Sequence, residues 1–149
     1  MNPVPAQMSS LRLKIVIVDD SPLVVSRLRQ VLEAMAEVEI AGIAQDVNSA
    51  FVLIKECLPD VVILDIYLED NAPATNGITL LAVLTEGFPK VQVIMLTNLS
   101  GPAYRSKCLK MGARYFLDKT NEFERIPEIL TDIMDNMQLS RTDWPVKDI

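Results

Sequence analysis

The chain has 149 residues, half of them hydrophobic and only 5% aromatic, a length suited to one domain with an aliphatic core. Its net charge of −6 disfavours non-specific binding to nucleic acid or to an anionic membrane, because both surfaces repel it. Histidine is absent, which excludes Ser-His-Asp and Cys-His catalysis, histidine metal sites and a histidine phosphodonor within the chain. The two cysteines, Cys57 and Cys108, form no CxxC pair and read as small core residues in a reducing compartment. Met1–Ser10 lacks a basic and an apolar signal region, and no apolar run nears the roughly 20 residues that span a bilayer. A cytoplasmic protein without membrane insertion is expected.

In chain order, residues 1–10 carry two prolines among small polar groups and are expected to be a disordered leader. Leu13–Val18 is a continuous apolar run, the pattern of a strand covered on both faces, and it ends at Asp19-Asp20. Ser21 and Pro22 supply an N-cap and a first-turn proline for a helix whose apolar spacing lasts to about Met35. Val38–Ala44 is a second strand, followed by a helix capped by Asp46 or Asn48 and running to about Cys57. Val61–Leu64 is a third strand and ends at Asp65. A polar stretch, Glu69 to Asn76, precedes Gly77 and a helix from Ile78 to about Glu86. Val91–Leu96 is a fourth strand ending at Thr97. Pro102 opens a fourth helix that stops near Gly112, a left-handed cap. Tyr115–Asp118 is a fifth strand, ending at Lys119. Pro127 would break a helix running on from Asn121, so a single turn at 121–125 should precede the last helix. Leu130, Ile133, Met134 and Met137 form that helix's buried stripe, and residues 139–149, which include Trp144, lack periodicity and read as a tail.

Five strands alternating with five helices imply a doubly wound α/β fold with a parallel sheet. Ligands in such sheets bind beyond the carboxyl ends of the strands. There the sequence places Asp19, Asp20, Asp65, Thr97 and Lys119. An aspartate after a strand is often only a turn former, but together these groups make a chemical site. Clustered carboxylates raise one another's pKa unless a cation neutralises them, and an all-oxygen site suits Mg²⁺. A lysine and a hydroxyl beside that cation are phosphate ligands. No P-loop glycine pattern is present, which leaves a carboxylate as phosphoryl acceptor.

The segments IVIVDDSP (15–22), VVILDI (61–66), VIMLTN (93–98) and GARYFLDKT (112–120) resemble, in order, those of two-component response regulator receiver domains. The resemblance covers residues 11–138 and implies a flavodoxin-like fold with strand order 2-1-3-4-5. It further implies that Asp65 is the phosphoacceptor, served by a histidine kinase or phosphotransfer protein. Asp20 would hold Mg²⁺ directly, Asp19 through a water, and the Tyr67 backbone carbonyl would be the remaining protein ligand. Thr97 would be the switch hydroxyl, Lys119 the phosphoryl partner and Phe116 the switch aromatic, with Tyr115 on the opposite face. Signalling would pass to a downstream protein through the helix 4–strand 5–helix 5 face, carrying Tyr104 and Lys107, and a homodimer is compatible with it. The positions that flank the path of a hydrolytic water would be Tyr67 and Leu99.

The sequence departs from that pattern in three places. Glu69 stands where the family often has proline, Gly77 is displaced by about four extra residues, and Thr120 replaces a proline that follows the lysine through a cis peptide. The dozen residues after the last helix are too few for a helix-turn-helix unit, so a stand-alone receiver, or one cut from a longer chain, is expected, with no nucleic-acid contact of its own. Two rival readings remain: a binding module that has lost phosphorylation, and a haloacid-dehalogenase-like phosphatase. The phosphatase would need an acid at position 67, where the chain has Tyr67.

Overall fold

The computed structural model describes residues 12–68 and 76–146, with side chains through residue 137. The expected leader and the extra loop residues expected within Asp70–Thr75 lie outside the described residues. Five strands, β1 (Leu13–Val18), β2 (Val38–Ala44), β3 (Val61–Leu64), β4 (Gln92–Thr97) and β5 (Tyr115–Asp118), alternate with five helices. These are α1 (Pro22–Glu33), α2 (Val47–Cys57), α3 (Gly77–Gly87), α4 (Pro102–Lys110) and α5 (Ile126–Val146), with a 3₁₀ turn at Phe123–Arg125 before the last. All strand pairs are parallel and the order is β2-β1-β3-β4-β5, as the sequence resemblance implies.

The register explains why the strands read as unbroken apolar runs. Val18, Leu64, Met95 and Phe116 lie in one row across the sheet, and Ile17, Ile63, Ile94 and Tyr115 in the row beside it. Side chains alternate between faces along a strand, so the two rows point to opposite sides. The first packs with Ala50, Ile54, Leu80, Leu84 and Cys108 of α2, α3 and α4. The second packs with Leu28 and Leu32 of α1 and Ile129, Leu130 and Ile133 of α5. A sheet covered on both faces has no polar side to alternate with. Phe116 and Tyr115 fall on opposite faces as expected.

Local chemistry sets the helix boundaries. Ser21 accepts a hydrogen bond from the Val24 N–H, and Pro22 occupies the first turn of α1. Asp46, not Asn48, caps α2 by accepting from the Ser49 N–H. Asn76, expected only as the end of a polar stretch, caps α3 in a reciprocal arrangement with Thr79. Gly112 adopts the left-handed conformation expected of it, with φ 115°. Pro127 falls in the first turn of α5, after the short 3₁₀ turn. The expected tail from 139 is corrected: α5 continues to Val146. No glycine or proline interrupts residues 128–144, so nothing in the backbone stops the helix sooner. No peptide bond is cis among the described residues, so Lys119-Thr120 is trans; threonine lacks the tertiary amide that makes the cis form accessible to proline.

One position carries a conformational cost. Leu58, the C-cap of α2, has φ 48° and a largely exposed side chain. A left-handed backbone costs a residue with a Cβ about 1–2 kcal/mol, and glycine avoids that cost. Leu58→Gly is therefore expected to stabilise the fold by about 1 kcal/mol, read as a higher urea midpoint with an unchanged slope.

Candidate functional site

The site forms where the register sets the strand ends level. Val18 pairs with Leu64, so the next residues, Asp19 and Asp65, stand side by side. The ladder extends past the strands: the Asp65 N–H donates to the Val18 carbonyl, and the Lys119 N–H to the Thr97 carbonyl. Asp19, Asp65, Thr97 and Lys119 are all buried.

Lys119 Nζ lies 2.9 Å from Asp19 Oδ2 and 2.8 Å from Asp65 Oδ2, a single ammonium bridging two carboxylates. Asp19 also accepts from the Ser21 N–H, at 2.9 Å, which fixes its other oxygen against the start of α1. One carboxylate oxygen from each of Asp19, Asp20 and Asp65 lies within 4.8 Å of the others. Three carboxyl groups against one ammonium leave an excess of negative potential, and the donors are all hard oxygens. This donor set fits Mg²⁺, which prefers carboxylates and retained waters to nitrogen or sulfur.

Burial pushes the Asp19 carboxyl above the usual carboxylate range, against the lowering effect of hydrogen bonds from Lys119 and the Ser21 N–H. The repulsion expected among the carboxylates is present but is a small contributor; for Asp19 the withdrawal of water matters more. Burial pulls the Lys119 ammonium down, but hydrogen bonds and charge from Asp65 and Asp19 outweigh it and hold the group above its ordinary value. Lys119 is therefore a permanent cation at neutral pH.

Gly77 holds the far wall. Its N–H donates to the Ile66 carbonyl at 2.7 Å, and a Cβ there would collide with the Asp65 carbonyl oxygen. The start of α3 can press on the backbone beneath Asp65 only without a side chain. Thr97 Oγ1 accepts from the Leu99 N–H at 3.1 Å. Tyr67 is 62% exposed, so its ring lies mostly in water and does not form a buried cover over Asp65.

Sequence reasoning missed a polar network beside the site. Ser100 Oγ donates to Asp118 Oδ2 at 2.6 Å, and Glu122 accepts from the Asp118 N–H at 3.0 Å and from Arg105 at 2.9 Å. Arg105 and Glu122 stand 17 positions apart on different elements, a separation that has no periodic signature. Arg105 also lies over the Phe116 ring, 5.2 Å from its centroid.

The sequence matches the response regulator receiver domain family over residues 15–131. The chain belongs to that family. It is 33% identical to the transcriptional regulatory protein LnrK of Bacillus subtilis (strain 168) over 107 residues, which cover 72% of this chain and 47% of LnrK. It is 34% identical to a protein-glutamate methylesterase/protein-glutamine glutaminase of Pyrococcus horikoshii over 110 residues, which cover 72% of this chain and 28% of the relative. The chain thus spans about half the length of the first relative and less than a third of the second. The signal receiver domain of NarL from Mycobacterium tuberculosis superposes with a TM-score of 0.73 at 27% identity, covering 83% of this chain and 97% of that domain. No helix among the described residues of this receiver domain is long and apolar enough to cross a membrane.

The network gives the receiver domain a pH signature. Hydrogen bonds, first from the Asp118 N–H and then from Arg125, with the charge of Arg105 beside them, hold the Glu122 carboxyl below its ordinary 4.5. A carboxylate whose pKa is depressed by folding contributes stability above its unfolded value, and that contribution is lost as pH falls through the folded value. Glu122→Gln is expected to be less stable than wild type at pH 7 by about 1 kcal/mol. Urea titrations should show the gap closing as pH falls below 4.5.

Proposed function

We propose that this receiver domain is a phosphorelay acceptor: Asp65 takes a phosphoryl group from the phosphohistidine of a histidine kinase or phosphotransfer protein, in the cytoplasm. The observation that carries the reading is the buried bridge from Lys119 to both Asp19 and Asp65, with Asp20 beside it. A structural ion pair needs one carboxylate, whereas here the lysine bridges two and a third stands beside them. Such an excess of negative charge suits a cation, beside which Lys119 can meet the oxygens of an incoming phosphoryl group.

An Asp65 carboxylate oxygen attacks phosphorus, the new O–P bond forms, and the P–N bond of the donor breaks with its electron pair returning to the imidazole. Lys119, already 2.8 Å from Asp65 Oδ2, donates hydrogen bonds to the incoming phosphoryl oxygens. Thr97 supplies its hydroxyl to the same group after transfer. Asp19, Asp20, Asp65 and the Tyr67 carbonyl would hold Mg²⁺, which when bound offsets the negative charge of the carboxylates and the phosphoryl oxygens. The output is conformational, passed to a downstream protein or a second copy of the chain through the α4–β5–α5 face, where Tyr104 and Lys107 are exposed. Phe116 has no hydroxyl, so its part in that signal is steric.

Incubation with phosphoramidate and Mg²⁺ is expected to add one phosphoryl group by intact mass, and Asp65→Asn to abolish the addition while remaining folded. Uptake by Asp65→Asn at the wild-type rate would overturn the acceptor assignment, turnover without an adduct would indicate a phosphatase, and no reaction a binding module. Mg²⁺ in the millimolar range should raise the melting temperature, by an amount corresponding to about 2.7 kcal/mol at a hundredfold excess over Kd, and Asp20→Ala should remove that gain.

The phosphorylated form is expected to be long-lived. Hydrolysis needs a water oriented in line with the O–P bond, and Leu99 offers that water no hydrogen bond. The exposed ring of Tyr67 leaves missing orientation, more than steric cover, as the cause. After removal of the phosphodonor, Tyr67→Asn with Leu99→Glu should lose its phosphoryl group about tenfold faster than wild type, corresponding to one contact worth about 1.4 kcal/mol.

A further inference from the structure

The loop after β4 is tied to β5 and to the turn after it by side chains that play no part in holding Asp65. Ser100, three residues beyond Thr97, donates to Asp118, the residue before Lys119. Arg105, on the first turns of α4, reaches Glu122 at 2.9 Å, and the same Glu122 oxygen accepts from the Asp118 N–H. Arg125 adds a second guanidinium to Glu122 at 3.1 Å. Two cross-links thus span the segment between Thr97 and α4 on one side and the end of β5 on the other. We infer that Ser100, Arg105 and Glu122 are positioning residues that latch the β4–α4 loop against β5 and oppose the movement by which Thr97 reaches a phosphoryl group on Asp65.

The inference rests on the phosphoacceptor reading above, and it follows from what is fixed and what is free. The end of β5 is fixed to β4 by the ladder, since the Lys119 N–H donates to the Thr97 carbonyl. The loop beyond Thr97 has no such ladder. The Thr97 hydroxyl is turned to its own loop, where it accepts from the Leu99 N–H. Turning it toward Asp65 draws residues 98–101 after it, while Asp118 and Glu122 stay with β5. Ser100 then leaves Asp118, and Arg105 leaves Glu122 and the face of Phe116. A contact made in one state and lost in the other biases the equilibrium between them by its own free energy. Arg105 and Glu122 are partly exposed, with side-chain exposures of 42% and 24%, so each link is weak. The bias is correspondingly a small factor in rate, about two- to fivefold.

The test measures the initial rate of phosphoryl uptake from phosphoramidate with Mg²⁺, by intact mass, on the full chain. Arg105→Ala, Glu122→Gln and Ser100→Ala should each take up phosphoryl about two- to fivefold faster than wild type. Arg105→Lys, which keeps a cation able to reach Glu122 and leaves the Asp118 and Arg125 contacts of Glu122 untouched, should stay closer to the wild-type rate than Arg105→Ala. A residue needed only for folding would leave the rate unchanged or lower it when removed. Rates at or below wild type in the folded alanine and glutamine variants, or Arg105→Lys as fast as Arg105→Ala, would overturn the latch. Should Glu122→Gln fail to fold, Ser100→Ala, which removes one hydroxyl, decides by the same criterion. Wild-type protein that takes up nothing would overturn the phosphoacceptor reading and the latch with it. Uptake by wild type without acceleration in the variants would overturn the latch alone.

Discussion

Lys119 stands with its ammonium 2.9 Å from Asp19 and 2.8 Å from Asp65, and all three groups are withdrawn from water. Without the lysine, two carboxylates would face each other in a medium that solvates neither, at a cost of several kcal/mol. With it, the strand ends can remain acidic and buried together. The arrangement keeps a residual excess of negative charge, because Asp20 joins the other two carboxylates. A site arranged only for stability would balance its charges; this one leaves hard oxygens in excess, a donor set that fits a cation such as Mg²⁺.

The backbone makes that concentration of charge possible. The parallel ladder puts Asp19 beside Asp65 and carries on beyond the strands to Lys119. Gly77 lets α3 begin in contact with the carbonyl under Asp65, and the Ser21 cap fixes both α1 and the Asp19 carboxylate. The rigid sheet therefore sets the positions of the acidic groups to within a register step. The β4–α4 loop, held by side chains and not by a ladder, is the part left able to respond.

The network from Ser100 to Glu122 lies between the Asp65 site and the α4–β5–α5 face. Arg105 belongs to it and also covers Phe116, whose ring is part of the core beneath α4. These contacts join the loop after Thr97 to the exposed α4–β5–α5 face. The energies involved are those of partly exposed ion pairs, each worth about 1 kcal/mol or less.

The strands, their order by resemblance, and the five polar residues at the strand ends can all be read from the sequence. Each of these is written locally: an apolar run of strand length, an aspartate or lysine at its end, a proline or capping residue at the next helix. Ser21, Gly112 and Pro127 were legible for the same reason, since each acts on its own turn of backbone. The tertiary structure decided what depends on groups distant in sequence. The Arg105–Glu122 pair and the collision that excludes a side chain at Gly77 arise between elements whose separation carries no periodic signal. Burial likewise decided that desolvation, more than repulsion, governs Asp19. The end of α5 lies beyond the expected tail boundary because residues 139–146 show no apolar stripe, whereas a helix already nucleated continues on backbone hydrogen bonding until something interrupts it.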